Sequence, residues 1–359
     1  MTEKNCCLLL EMSGGAVAQL VSRGELDKFI SGQPDTTYFN SKFKRATNFS
    51  FFTKDLVVQT TPAPGGTSTV KINKFGDLLS YMTIVTKLNG EVQLLDDWTT
   101  VIEKTEIWIG GVKIDEQTSE FCETLAIDLL GNSYSKSFQA SLHGGVGSQS
   151  FFYPLRFWFN ELWSTALPLV ALNYHDVELK IQWSSSLDTN RSYHVNAAFI
   201  LLDEEERNHL AFKEIHQLIY QTQMNIPSRT NIHQLVFNHP VKFICSSNAN
   251  STNNLVSRTN EVKLQVNGTD IDNFKPGVPY FTAIPSYFHT DFSGSNSENL
   301  FFHSFCLSAN KYQPTGSLNF SRVDSVTLHC TQPIDRNIYA VNYNILKIKD
   351  GMCGVLFAD

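Results

Sequence analysis

Apolar positions in this chain recur mostly with period two, in short runs divided by glycine, proline and asparagine, and this pattern predicts strands. The densest stretch is residues 151–183. Residues 151–159, FFYPLRFWF, are nearly all aromatic or aliphatic, which predicts a strand buried on both faces. After a connection centred on 161–165, Val177, Leu179 and Ile181 fall on one face and Glu178 and Lys180 on the other, as in a half-buried strand.

Further strands are predicted at 37–39, 47–52, 56–60, 70–75, 78–87 and 192–202, and in the second half at 218–223, 234–244, 300–307, 323–330 and 337–349. Asn89-Gly90 predicts a tight hairpin, residues 106–115 turn at Gly110-Gly111, and residues 261–272 form another hairpin. Helix is scarce. Residues 121–130 are the best first-half candidate. Asp203 with Glu206 has the spacing of an N-cap and its reciprocal acid, which predicts a short helix ending near Phe212. Residues 1–12 read as a loose extension, 13–15 as a joint, 16–22 and 25–30 as short arms. Residues 62–66, 141–150, 246–254, 276–285 and 293–299 read as loops.

Composition narrows the classes. The 359 residues give room for two ordinary domains. Charged residues make up 18% of the chain, against the usual share of about 25%. Either the cores are large or partners cover much of the surface. A net charge of −7 argues against coating nucleic acid. No apolar run approaches the roughly 20 residues of a membrane span. The run Cys6 to Leu10 is too short for a signal core, so a cytosolic origin is expected. Cysteines 6, 7, 122, 245, 306, 330 and 353 are odd in number and form no C-x-x-C, which predicts free thiols in a reducing compartment.

Candidate chemistry is sparse. His143-Gly144-Gly145-Val146-Gly147 resembles an esterase oxyanion loop, but no G-x-S-x-G elbow accompanies it. The run from Gly145 to Ser150 lacks the third glycine of a dinucleotide loop. His209/His216 and His233/His239 match no strong zinc spacing. The acids from Asp203 to Glu206 suit a solvated helix start better than a cation site. Lys42, Lys44 and Arg45, interleaved with Phe43, read either as a charge-protected strand edge or as a contact for anionic lipid or an inner partner. Sequons stand at Asn48, Asn190, Asn250, Asn267 and Asn319 and are expected to be unused without secretion. No catalytic, cofactor-binding or metal-ligating residue is assigned, and no cofactor is expected.

Three pairs of segments recur in the same order. Residues 107–115 parallel 264–272. Phe151-Phe152 followed by 177–181 parallels Phe301-Phe302 followed by 326–330. Residues 193–196 parallel 339–342. A nearly constant separation of roughly 150 residues is hard to reach by chance and predicts two β domains of one topology in tandem. Many short strands with long connections favour a sandwich or jelly roll.

The stretches GGAVAQLVSRGELDKFISGQPDTTYFNSKFKRATNFS, FFYPLRFWFNELWSTALPLVALNYHDVELKI, LLDEEERNHLA, VFNHPVK, TGSLNFSRVDSVTLH and IYAVNYNILKIKDGMCGVLFAD together carry a resemblance. The chain resembles the major capsid proteins of the nucleocytoplasmic large DNA viruses, the double jelly-roll lineage. The resemblance implies an all-β fold of two tandem eight-stranded jelly rolls with few short helices. The expected layout is an N-terminal arm (1–35), a first jelly roll (36–202), a connector helix (203–214) and a second jelly roll (215–359). It implies a structural subunit and no enzyme: a homotrimeric, pseudo-hexagonal capsomer of an icosahedral shell, assembled in the host cytoplasm. The implied partners are the chain itself and neighbouring capsomers, minor capsid proteins and the viral inner membrane, with no direct nucleic-acid contact. The chain is short for the family between Asp272 and Leu300, where outer towers are expected to be reduced. A minor capsid paralogue, a β-sandwich carbohydrate-binding protein and a β-scaffold hydrolase are the rival readings.

Overall fold

The computed structural model describes residues 21–133, 136, 150–247, 254–256, 258–291 and 300–357. The chain divides into two units, Met1–Ala46 and Thr47–Asp359. The expectations for 1–20, the loop 141–149 with its glycine motif, Asn250 and the loop 293–299 lie outside the described residues.

In the first unit, helix α1 (Glu25–Ser31) begins where the Asp27 carboxylate accepts the Gly24 N–H at 2.9 Å, and it buries no residue. The strand expected at 37–39 is absent. Thr37 Oγ1 accepts the Phe39 N–H, and this local bond bends the chain into a turn. The basic cluster at Lys42, Lys44 and Arg45 is exposed irregular chain, not a strand edge.

Among the described residues of the second unit, one set of eight strands recurs on each side of helix α4 (Glu204–Phe212), with further short strands beside it. Before it come β1 (Phe49–Leu56), β2 (Thr67–Ile72), β3 (Leu78–Leu88), β4 (Ile102–Ile109), β5 (Val112–Thr118), β6 (Phe152–Pro154), β7 (Val177–Trp183) and β8 (Ser192–Leu202). After it come β9 (Ile215–Asn225), β10 (Ile232–Gln234), β11 (Pro240–Ser247), β12 (Glu261–Val266), β13 (Thr269–Asp270), β14 (Leu300–Ser304), β15 (Val326–Cys330) and β16 (Ile338–Lys349). The first set pairs antiparallel as β1-β8-β3-β6 and β2-β7-β4-β5. The second set repeats this as β9-β16-β11-β14 and β10-β15-β12-β13. Apart from the hairpins β4-β5 and β12-β13, neighbours within each sheet come from distant parts of the sequence, as a jelly roll requires. The fold is a double jelly roll.

Turn chemistry fixes several registers. Asn89-Gly90, Gly110-Gly111 and Asn267-Gly268 all take positive φ and close two-residue hairpins, as the sequence predicted. Asp350-Gly351 does the same between β16 and a further strand, Met352–Val355, a signal the sequence reading passed over. The helix expected at 121–130 is present, as a wide first turn at Phe121–Leu125 running into α2 (Ala126–Leu130). Asp203 caps α4 through a 2.8 Å bond to the Glu204 N–H, but the reciprocal acid does not act: among the described residues Glu206 Oε2 has no partner.

Four further expectations are corrected. Residues 151–159 are not one strand. Pro154 cannot donate to a ladder, β6 ends there, and the chain winds into α3 (Trp158–Glu161). Leu155, Phe157, Trp158 and Phe159 are nevertheless buried. The expected strand 234–244 is split, because His239 sits at φ 64° before Pro240. The expected loop 276–285 holds α5 (Gly277–Tyr280) and runs into α6 (Ala283–His289), whose Pro285 falls in the first turn, where proline is tolerated. The segments expected at 47–52 and 56–60 are one strand, β1, followed by a single bridge from Val58 to Val70.

The repeat holds in order and in two of its registers. The Phe152/Phe302 pair stands opposite Val85 and Cys245, so His194 is the positional twin of Tyr339. Tyr193 and Tyr339, matched in sequence, lie on opposite sheet faces: Tyr193 packs on Trp183 inside the first barrel, whereas Tyr339 packs on Phe121 outside the second.

Candidate assembly surfaces

Side-chain alternation decides which faces the chain closes and which it leaves open. Sheet β9-β16-β11-β14 is apolar on both sides. Ile244, Phe301, Ile338 and Ala340 line the core of the second barrel. Their alternate neighbours Phe243, Cys245, Phe302, Tyr339 and Val341 belong to the core cluster of the first barrel. Over 243–245, 301–302 and 338–341, alternation sends one residue inward and the next across to the other barrel. This is why residues 338–341 of β16 read as a continuous apolar run.

The seam between the barrels is specified by polar contacts around that apolar patch. Phe121 meets the Tyr339 ring at 5.5 Å. The Tyr339 hydroxyl donates to Glu120 Oε2 at 2.9 Å and accepts from Thr118 Oγ1 at 2.9 Å. Ser247 Oγ donates to Glu120 Oε1 at 2.6 Å. Asp115 Oδ1 accepts the Thr222 N–H at 2.8 Å, and Gln217 Nε2 donates to the Thr165 carbonyl at 2.6 Å. At a second seam the Tyr174 N–H bonds the Gly351 carbonyl at 3.0 Å, and His175 Nδ1 accepts the Cys353 N–H at 3.0 Å. Buried polar groups that are paired in this way set one relative orientation and penalise others.

Beneath the seam, Arg156 and Glu161 form a buried ion pair at 3.4 Å, with Lys136 reaching Glu161 Oε2 at 3.3 Å. In the second barrel Lys242 is buried between the Tyr220 and Tyr343 rings and donates to the Lys311 carbonyl at 3.0 Å. Burial lowers its pKa to about 8.

The sequence candidates do not converge. His209 and His216 are exposed, and His216 lies 3.4 Å from Glu214. His233 is buried alone on β10, and its pKa is lowered by desolvation. Among the described residues no group of three His, Cys, Asp or Glu could hold a metal. Cys122, Cys245, Cys306, Cys330 and Cys353 are free and buried. Asn267 and Asn319 serve the fold: their side chains accept the N–H groups of Ser325 and Ser321. The loop 62–66 bonds back to the first barrel through Gly65 and Gly66. Sequence reasoning missed the open aromatic face of β1, where Phe51 and Trp163 pack on each other in solvent. Phe49 and Phe51 at alternate positions were the available signal.

Comparison with known proteins agrees with this architecture. The family described as "Major capsid protein N-terminus" matches residues 37–205, and "Large eukaryotic DNA virus major capsid protein" matches 206–354. The chain belongs to the major capsid proteins of large eukaryotic DNA viruses. The major capsid protein of Pyramimonas orientalis virus is 28% identical, across 96% of this chain and 100% of that protein. That of Paramecium bursaria Chlorella virus 1 is 27% identical, across 97% and 100%. A quasi-atomic structure titled as the PBCV-1 virus capsid superposes with a TM-score of 0.75 at 23% identity, covering 90% of this chain and 100% of that one. Members of this capsid family are structural proteins of the virion, not enzymes. The rival readings as a lectin-like module or a hydrolase fall away.

Proposed function

We propose that three copies of this chain form a pseudo-hexagonal capsomer, the repeating block of an icosahedral DNA-virus shell. The observation that supports it is the sheet buried on both faces, which fixes two barrels of one topology as a single block. A three-fold axis then places six like barrels in a ring, and a six-sided block tiles a flat facet. Permanent interfaces of this kind typically bury more than about 2,000 Å². Minor capsid proteins and the inner membrane are the proposed partners of the first unit, with assembly in the host cytoplasm. There Phe29, Tyr38, Phe39 and Phe43 are exposed beside Lys42, Lys44 and Arg45, a mix suited to apolar and anionic surfaces.

Mass photometry at nanomolar concentration tests the capsomer. A species of three chains is expected to persist on dilution. A monomer at every concentration would overturn the reading.

A further inference from the structure

The two barrels repeat each other but do not hide the same surfaces. In the second barrel the outer face of β9-β16-β11-β14 is closed, with Tyr339 only 1% exposed. In the first barrel the same face, on β1-β8-β3-β6, is open. Phe51 and Trp163 are each 59% exposed, with ring centroids 6.1 Å apart, and Tyr81 stands edge-on to Trp163 at 5.7 Å. Val85 and Phe152, the positional twins of the buried Cys245 and Phe302, are half-buried.

The element that does the covering also has a twin. In the first barrel the chain leaves β5 at Thr118, opposite Lys104, and turns at once into the helical segment whose Phe121 packs on Tyr339. In the second barrel Pro276 stands opposite Glu261, which is as far from its hairpin turn as Lys104 is, and leads at once into α5 and α6. That segment presents Tyr287 and Phe288, 79% and 70% exposed, as an edge-to-face pair at 5.0 Å. Among the described residues, each chain therefore holds a used helix-on-sheet contact, an open sheet face and an unspent helical segment.

We propose that α6 of one copy docks on the outer β1-β8-β3-β6 face of a second copy, repeating between chains the contact that Phe121 and Tyr339 make within one. This rests on the trimeric reading and gives it a direction. The interface is heterologous, helix segment to sheet face, and three such contacts close a ring. The occupant is a second copy because the chain's own seam is the template for both halves of the contact.

Phe51→Asp damages only the sheet face and Tyr287→Asp only the helical one. Both side chains are exposed, and unchanged circular dichroism melting confirms that each variant folds. Sedimentation velocity on the full chain reads the assembly. The parent is expected to run as a trimer. Each variant alone is expected to need at least about tenfold more protein for half assembly, since each buries an unpaired charge at an aromatic contact. An equimolar mixture is expected to give a 1:1 dimer. The intact helical segment of Phe51→Asp meets the intact sheet face of Tyr287→Asp, and the ring cannot close. Either variant trimerising like the parent, or a mixture of folded variants that stays monomeric, overturns the assignment. A parent chain that fails to trimerise overturns instead the capsomer reading beneath it.

Discussion

Asp115 couples the charge of one residue to the seam between barrels. Its Oδ2 accepts from Gln117 Nε2 at 2.9 Å and its Oδ1 from the Thr222 N–H in β9. Burial outweighs these bonds and raises its pKa from 3.8 to about 7. A carboxyl group with a folded pKa above its unfolded one contributes stability that is complete below pH 3.8 and lost as the pH rises through about 7. Burial raises Glu123 to about 7 as well. The melting temperature is therefore expected to fall across that window, and Asp115→Asn, which keeps an acceptor for Thr222, is expected to flatten the fall by one group's share. Identical pH slopes in parent and variant would show that Asp115 does not titrate there. Packing sets a second expectation. Trp158 is fully buried, and Trp158→Ala should cost about 3–5 kcal/mol in chemical denaturation. Glu161→Ala should cost a similar amount, about 3–5 kcal/mol, by taking the carboxylate from buried Arg156. An unchanged denaturation midpoint in either variant would count against its assigned role.

Single elements show what the sequence could and could not say. β8 was legible from end to end and the hairpins at Gly90, Gly111 and Gly268 were legible because their chemistry is local. The strand expected at 151–159 failed because burial and strand geometry are different things. A proline and a one-turn helix can bury five large side chains as well as a ladder can. The open face of β1 was harder to see for another reason: Phe49 and Phe51 mark one apolar face, but whether that face is covered depends on which element packs on it. Tyr193 and Tyr339 were matched as equivalents, although a one-residue difference in register sends them to opposite faces. Gly110 allows an element-level test. It sits at φ 59°, and a Cβ there would come within 2.4 Å of the His175 ring that holds the Cys353 N–H. Gly90, at φ 87°, faces open space. Gly90→Ala should therefore cost only backbone strain, about 1–2 kcal/mol. Gly110→Ala should cost more in the same melting experiment, because the second seam must move. Equal losses would show that the His175 contact adds nothing.

For the whole molecule, the layout proposed from sequence puts the barrel boundary at 203–214. Helix α4 there buries no residue, while 155–159 lie in the core. Limited proteolysis is expected to cut within 203–214, and in the exposed chain before residue 47, well before it cuts within 151–183. First cuts inside 151–183 would contradict the burial of that stretch. The sheet with two apolar faces bears also on how the chain is made. Ribosomes deliver the first barrel before the second, at about 5–20 residues per second. The surface that will cover Phe243, Phe302 and Tyr339 thus has time to fold before those side chains leave the exit tunnel. A gene permuted to translate residues 215–359 first would encode every contact of the finished molecule. It would also release the adhesive face into the cytosol with nothing yet made to receive it.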